Sequence, residues 1–314
     1  MTILGINNED YRIPDSFSEI TVKKARELVL LSNKAPKELL DIYKQQSKGE
    51  ELDEKTKQDF IDSLDKVQPS LDEFFIDVLE LLSDIPKDVI KGIAVEDLRA
   101  CYNIYLYKFV FGVLYFPLDK EPIKESFSIM QEEYYLPLNR EIMGFDRPFC
   151  DETAGVFCDA SDADNNSRQS EFGKYQFAEL ITSIMYRKKG AKYSEEESLE
   201  ASELYKDILT CDVYHSALLK LSEINKALET LFPNLYQKGN GKAKTASKKS
   251  GLADFGWLNS IVVVAEKGIL NINGLTPLDS VKKTNLYDVM TILSNMRANT
   301  DFERVYKEIN TKKK

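Results

Sequence analysis

The sequence predicts a mainly α protein: a multi-helix N-terminal and central part carrying one small β-hairpin, then a tethered C-terminal three-helix module. Three observations predict it. Apolar residues recur at three-to-four spacing through most of the chain. Capping and stop residues punctuate those runs. One lysine- and glycine-rich tract separates the last of them from the rest. The 314 residues suffice for about two domains on length alone, and 43% hydrophobic with 30% charged residues supplies a buried core. The expected divisions are an N-terminal helical domain (1–122), a central hairpin-plus-helices domain (123–237), a linker (238–252) and the C-terminal module (253–314).

In chain order, residues 1–15 read as a loose arm ending at Pro14. Thr21 is placed to cap a helix carrying Val22, Ala25, Leu28, Val29 and Leu31. A second helix is expected over 36–46, a solvated charged stretch over 47–58, and a renewed helical face at Phe60, Ile61, Leu64 and Val67. Leu71, Phe74, Phe75, Val78, Leu79 and Leu82 then form one stripe with acids opposite, the mark of a helix packed on a core. Pro86 suits the first turn of a short helix and Gly92 its C-terminal cap. Residues 97–118 are apolar and aromatic; they read as helix, and their β-branched and aromatic content leaves strand open for part of them.

Residues 124–138 alternate as a hairpin does, with Gln131, Glu132 and Glu133 near its turn. The polar stretch 144–171 reads as a long, partly irregular loop. Helices resume with Tyr175, Ala178, Leu180, Ile181, Ile184 and Met185; Ser194 with Glu197 forms a capping box, and a further helix covers 213–230. "KGNGKAKTASKKSG" (238–251) holds five lysines, no acid and no large apolar residue, as a linker does. After it, Asp254 is placed to cap a helix that Gly268 ends, Thr276 and Pro277 open a second, and a third starts near Thr284 or Asn285.

Composition narrows the function. A net charge of −10 opposes wrapping nucleic acid, which needs a basic surface to displace counterions. "MTILGINNEDYRIPD" lacks the basic start and apolar stretch of a secretory leader. The most apolar run, "FVFGVLYFPL" (109–118), is too short to span a membrane. Cys101, Cys150, Cys158 and Cys211 are too sparse for a disulfide scaffold, so a reducing, cytoplasmic setting is expected.

Catalytic and metal signals are weak. His215 is the single histidine, which removes zinc sites built on two histidines and leaves any Cys–His pair dependent on one ring; a structural place for it is expected. Cys150 and Cys158, with seven residues between them, miss the short spacings of a zinc knuckle. "DADNNSRQSEFG" (162–173) starts like a calcium loop at Asp162, Asp164 and Asn166. It then places Ser167 where glycine belongs and Gly173 where a glutamate belongs. "GNGK" (239–242) lacks the spacing of a phosphate loop. No metal, no cofactor and no catalysis are expected.

The C-terminal module is small: about 60 residues make a marginal core, so its stripe needs completion by the rest of the chain or by another protein's helix. Several stretches resemble the tail assembly chaperones of tailed bacteriophages: "LSDIPKDVIKGIAVEDL" (82–98), "SIMQEEYYLP" (128–137) followed by "TAGVFCDASD" (153–162), "FAELITSIMYRKKGAKYSEEESLEASELYKDI" (177–208), and "FGWLNSIVVVAEKGILN" with "LDSVKKTNLYDVMTILSNMRANTDFERV" (255–271 and 278–305). The resemblance covers most of the chain from about Ile20 and rests on hydrophobic and turn positions; the length and the lysine tether depart from shorter members. It implies a non-catalytic chaperone or scaffold in the host cytoplasm. Such a protein would coat a long tape-measure-type protein and bind its amphipathic helices. A structural or packaged protein of the virion is the alternative. The expected partners are tape-measure or other tail proteins, with self-association left open and neither membrane nor specific nucleic acid involved. From the apolar pattern, the contact positions expected are Trp257, Leu258, Ile261, Leu286, Val289, Met290 and Leu293.

Overall fold

The computed structural model describes residues 2–6, 9–47, 66–115, 123–137, 140–142, 145–147, 152–236 and 256–311. It is mainly α, as the periodicity predicts. The solvated stretch and helical face expected over 47–67, the lysine tract, Asp254 and Cys150 lie largely or wholly outside the described residues.

The N-terminal arm is not loose. β1 (Thr2–Ile6) and β2 (Glu9–Ile13) form an antiparallel hairpin, because Tyr11 and Ile13 alternate inward with a period of two. α1 (Val22–Ser32) starts at Thr21, whose hydroxyl accepts from the Lys24 amide at 3.3 Å. α2 (Lys37–Ser47) and α3 (Gln68–Leu82) follow; all six stripe residues of α3 are buried. α4 (Lys87–Lys91) ends at Gly92. α5 (Val95–Cys101) passes through a π-helical turn, Tyr102–Leu106, into α6 (Tyr107–Tyr115), so the ambiguous aromatic segment is helix wherever it is described.

β3 (Ser126–Ile129) and β4 (Glu132–Tyr135) make the expected hairpin, with its turn at Met130 and Gln131, so that Glu132 and Glu133 open β4. Two short strands, β5 (Arg140–Ile142) and β6 (Phe145–Arg147), pair antiparallel. Half of the stretch expected as a loop is instead α7 (Ala154–Ser167). Its Asp and Asn residues suggest a turn. However, Ala154, Val156, Phe157, Cys158, Ala160 and Ala163 are small or apolar and buried, and that packing overrides local propensity. α8 (Ala178–Met185), β7 (Arg187–Lys188, pairing with β4), α9 (Glu195–Tyr205) and α10 (Cys211–Leu231) follow. Ser194 accepts from the Glu197 amide at 3.4 Å, one half of the capping box. The last helices are α11 (Gly256–Glu266), α12 (Pro277–Lys283, capped by Thr276 at 3.1 Å from the Asp279 amide) and α13 (Leu286–Thr311).

Contacts divide the chain into two units, Met1–Pro122 with Ser167–Glu179 and Glu203–His215, and Ile123–Asn166 with Leu180–Ser202 and Ser216–Lys314. In the first unit, α1 packs on α3 and α6. Val22 N donates to Leu209 O and Cys211 N to Ile20 O, both at 2.8 Å. Arg26 donates to the carbonyls of Tyr175 and Gln176 and pairs with Glu179, which satisfies carbonyls near the start of α8. Gly112 lets the Phe17 ring approach: an added Cβ would sit 2.3 Å from it.

In the second unit, the start of α7 and the residues just before it lie against α12 and the start of α13. Gly155 is 3.0 Å, measured from an ideal Cβ, from Lys282 O. Ala154 N donates to Thr284 O at 2.9 Å, and Leu286 N to Glu152 O at 2.8 Å. Phe127, Tyr134 and Tyr186 seal the hairpin, with ring centroids at 5.4 and 4.8 Å from Phe127.

Candidate functional site

The contact positions expected in the C-terminal module are mostly core. Ile261, Leu286, Val289, Met290 and Leu293 are buried, and Trp257 and Leu258 are half-buried. Trp257 meets Phe157 edge-on at 5.2 Å and Tyr236 at 5.7 Å. Its amide donates to Asp162 Oδ1 at 3.2 Å, so Asp162, from α7, caps α11 from across the unit. That contact also accounts for Gly256, whose φ is +48° and whose Cβ would collide with the Asp162 carboxylate at 2.2 Å. Lys282 donates to Asp159 at 3.1 Å and Glu195 at 3.3 Å, while Tyr193 donates to Asp159 at 2.7 Å. Asn234 and Ser294 exchange two hydrogen bonds at 2.9 Å, fixing the approach of α13. The module's stripe closes on its own chain.

A different apolar face stands open. α13 has 26 residues, about 39 Å of helix, and its distal half exposes Phe302 (68%), Val305 (45%), Tyr306 (59%) and Ile309 (51%). These lie at i, i+3, i+4 and i+7, one helical face. At 100° per residue, that face points about 160° away from the buried stripe of Leu286, Val289, Met290 and Leu293. The apolar side therefore inverts along one uninterrupted helix. Arg297, Asp301, Arg304, Lys307 and Glu308 take the side the core residues held further back. Arg297–Asp301 and Arg304–Asp301 pair at 3.3 Å along it, and Phe302 stacks on Tyr306 with centroids 6.0 Å apart.

Several ionisable groups are buried inside the units. His215 is 3% exposed; its Nε2 lies 2.9 Å from the Tyr175 hydroxyl and Phe17 packs beside it. Burial first, and Lys174 second, hold it well below the usual imidazole range, so it is neutral at pH 7. Burial pushes the Cys158 thiol up, and Cys101 to about 11, so neither is a nucleophile at neutral pH. Asp162 is also raised by burial, opposed by the amides it accepts from. It lies on a helix and is engaged as a cap. Among the described residues no three His, Cys, Asp or Glu side chains gather as metal ligands do, and no described helix is long and apolar enough to cross a membrane.

Two concavities lie in the first unit. The larger, about 760 Å³, is an open groove lined largely by charged residues of α1, the turn after it and α3, among them Lys23, Lys24, Glu27, Lys34, Asp77 and Glu80. The smaller, about 240 Å³, is more enclosed and lined mainly by apolar and aromatic side chains at the π turn. Sequence reading missed both the distal α13 face and this cavity. The i, i+3, i+4, i+7 pattern at Phe302 was there to find; the π turn leaves no local signal.

No protein-family model matches the chain, and neither does any curated protein or any solved structure.

Proposed function

We propose that this chain is a non-catalytic assembly protein that holds amphipathic helices of another protein against the distal face of α13. The observation that carries this reading is the exposed stripe of Phe302, Val305, Tyr306 and Ile309, set opposite a buried stripe on the same helix. Apolar residues at helical spacing, with charges confined to the other side, suit helix-to-helix recognition. Four large exposed side chains on one face also exceed the scattered apolar residues ordinary on a surface.

The finer reading is a tail assembly chaperone of a tailed bacteriophage. It would act in the host cytoplasm, and its client would be a tape-measure-type protein whose apolar stripes need covering before the tail tube forms. The resemblance in 82–98, 128–162, 177–208 and 255–305 supports it. The binding residues differ from those the sequence pattern singled out: the client would meet Phe302 and its neighbours, since Leu286, Val289 and Met290 are occupied internally.

The test is co-purification of the full chain with the long helical protein encoded beside it, against the double variant Phe302→Glu, Tyr306→Glu. Capture by the wild type and its loss in the variant, with melting temperature unchanged, is the expected result. Undiminished capture by the variant would refute the surface, and no capture by either would refute the chaperone reading.

A further inference from the structure

The 240 Å³ cavity in the first unit is lined by Leu39, Ile42 and Tyr43 of α2, Leu71 and Phe75 of α3, and Arg99, Tyr102, Asn103 and Tyr107 around the π turn. The π turn shapes it. In an α-helix, residues five apart point about 140° away from one another. Here the Tyr107 amide donates to Tyr102 O, an i→i+5 bond that swings both side chains toward one side. Tyr43 meets them there: its hydroxyl bonds that of Tyr102, and its ring packs edge-on to Tyr107 at 5.4 Å. Phe75 stacks on Tyr102 at 3.9 Å. A π turn gives up regular helical bonding, and such turns concentrate at functional sites.

Apart from the exposed Asn103, the polar side chains of the lining are engaged by one another or by immediate neighbours. Tyr43 and Tyr102 bond each other, Tyr107 donates to Gln46, and Arg99 holds Asp72 through two bonds at 2.9 and 3.0 Å. A charged ligand would enter an aromatic slot whose cation already has a carboxylate, and would lose its hydration without compensation. A neutral ring would lose little and gain aromatic packing. Size points the same way: an apolar void of about 150 Å³ takes benzene, so this one has room for a fused or substituted ring.

We infer that this cavity is a binding site for a neutral aromatic molecule of one or two rings. The cavity belongs to the first unit, and its assignment does not depend on the face proposed on α13.

Indole is the probe, titrated into the full chain and followed by amide and aromatic NMR shifts, with benzoate as a charged comparison. Saturable shifts at residues around Tyr43 and Tyr107 are expected. Binding should weaken at least tenfold in Ile42→Trp, which fills the cavity. It should weaken similarly in Asn103→Trp, which blocks the mouth from an exposed position and should leave folding intact. Lys34→Ala, in the open charged groove, should bind as wild type does. The assignment is overturned by an absence of saturable shifts up to the solubility limit. Unchanged affinity in Asn103→Trp, or benzoate binding as tightly as indole, would overturn it equally.

Discussion

Residues 286–296 and 297–311 belong to one continuous helix, and both halves carry apolar residues at helical spacing. In the proximal half those residues are buried, and the helix is backed by α11 and by the 232–236 turn, through the Phe232–Tyr287 ring contact at 5.4 Å and the Asn234–Ser294 pair. In the distal half they meet solvent. An amphipathic stripe therefore states only that a partner is required. Whether the chain supplies that partner depends on which way the stripe faces, and inversion by about half a turn separates a buried stripe from an exposed one.

The largest expected effect breaks the comparison at its centre. Leu286→Ala removes a fully buried side chain and should cost about 2–5 kcal/mol in urea unfolding. Phe302→Ala, on the same helix, should stay within about 0.5 kcal/mol. Equal costs would mean that the distal half is packed too.

A second change tests how the proximal half is held. Gly155→Ala places a methyl against the Lys282 carbonyl, backbone that cannot rotate away, and should cost about 1–3 kcal/mol. Stability unchanged within error would show that α12 is free to shift.

Acid should destabilise the fold through His215. The folded state holds His215 well below its ordinary range, so the unfolded chain takes up the proton first as pH falls. Stability is therefore fully present above pH 6.5 and declines below it, at up to about 1.4 kcal/mol per pH unit from this group. His215→Phe should flatten that slope in pH-dependent unfolding. A slope that persists in the variant would assign the acid sensitivity elsewhere.

The smallest effect lies at the β3–β4 tip, where Met130 and Gln131 adopt φ of 50° and 70°. Gln131→Gly should relieve left-handed strain and raise stability by about 1 kcal/mol, seen as a higher melting temperature. A decrease would show that the Gln131 side chain contributes more than its backbone costs.

Much of the architecture was legible because it is written in local chemistry. The Thr21 and Thr276 caps, the α3 stripe and the Gly92 and Gly268 stops each act within a turn of themselves. α7 was illegible for the opposite reason. Its Asp159 and Asp162 look like loop residues until Lys282, Tyr193 and the α11 amides, remote in sequence, are there to satisfy them. The N-terminal hairpin was missed because Tyr11 and Ile13 give only two inward positions. The candidate surface was half legible. The module's apolar residues were identified, but Met290 and Phe302 differ in orientation and in neighbours, and one-dimensional spacing records neither.

Hydrogen–deuterium exchange along α13 in the isolated full chain tests the central claim most directly. Strong protection over 288–294 falling to little over 302–309 is expected, because only the proximal half is backed by a core. Uniform protection to residue 309 would contradict it, since the distal face would then already have a partner within the chain.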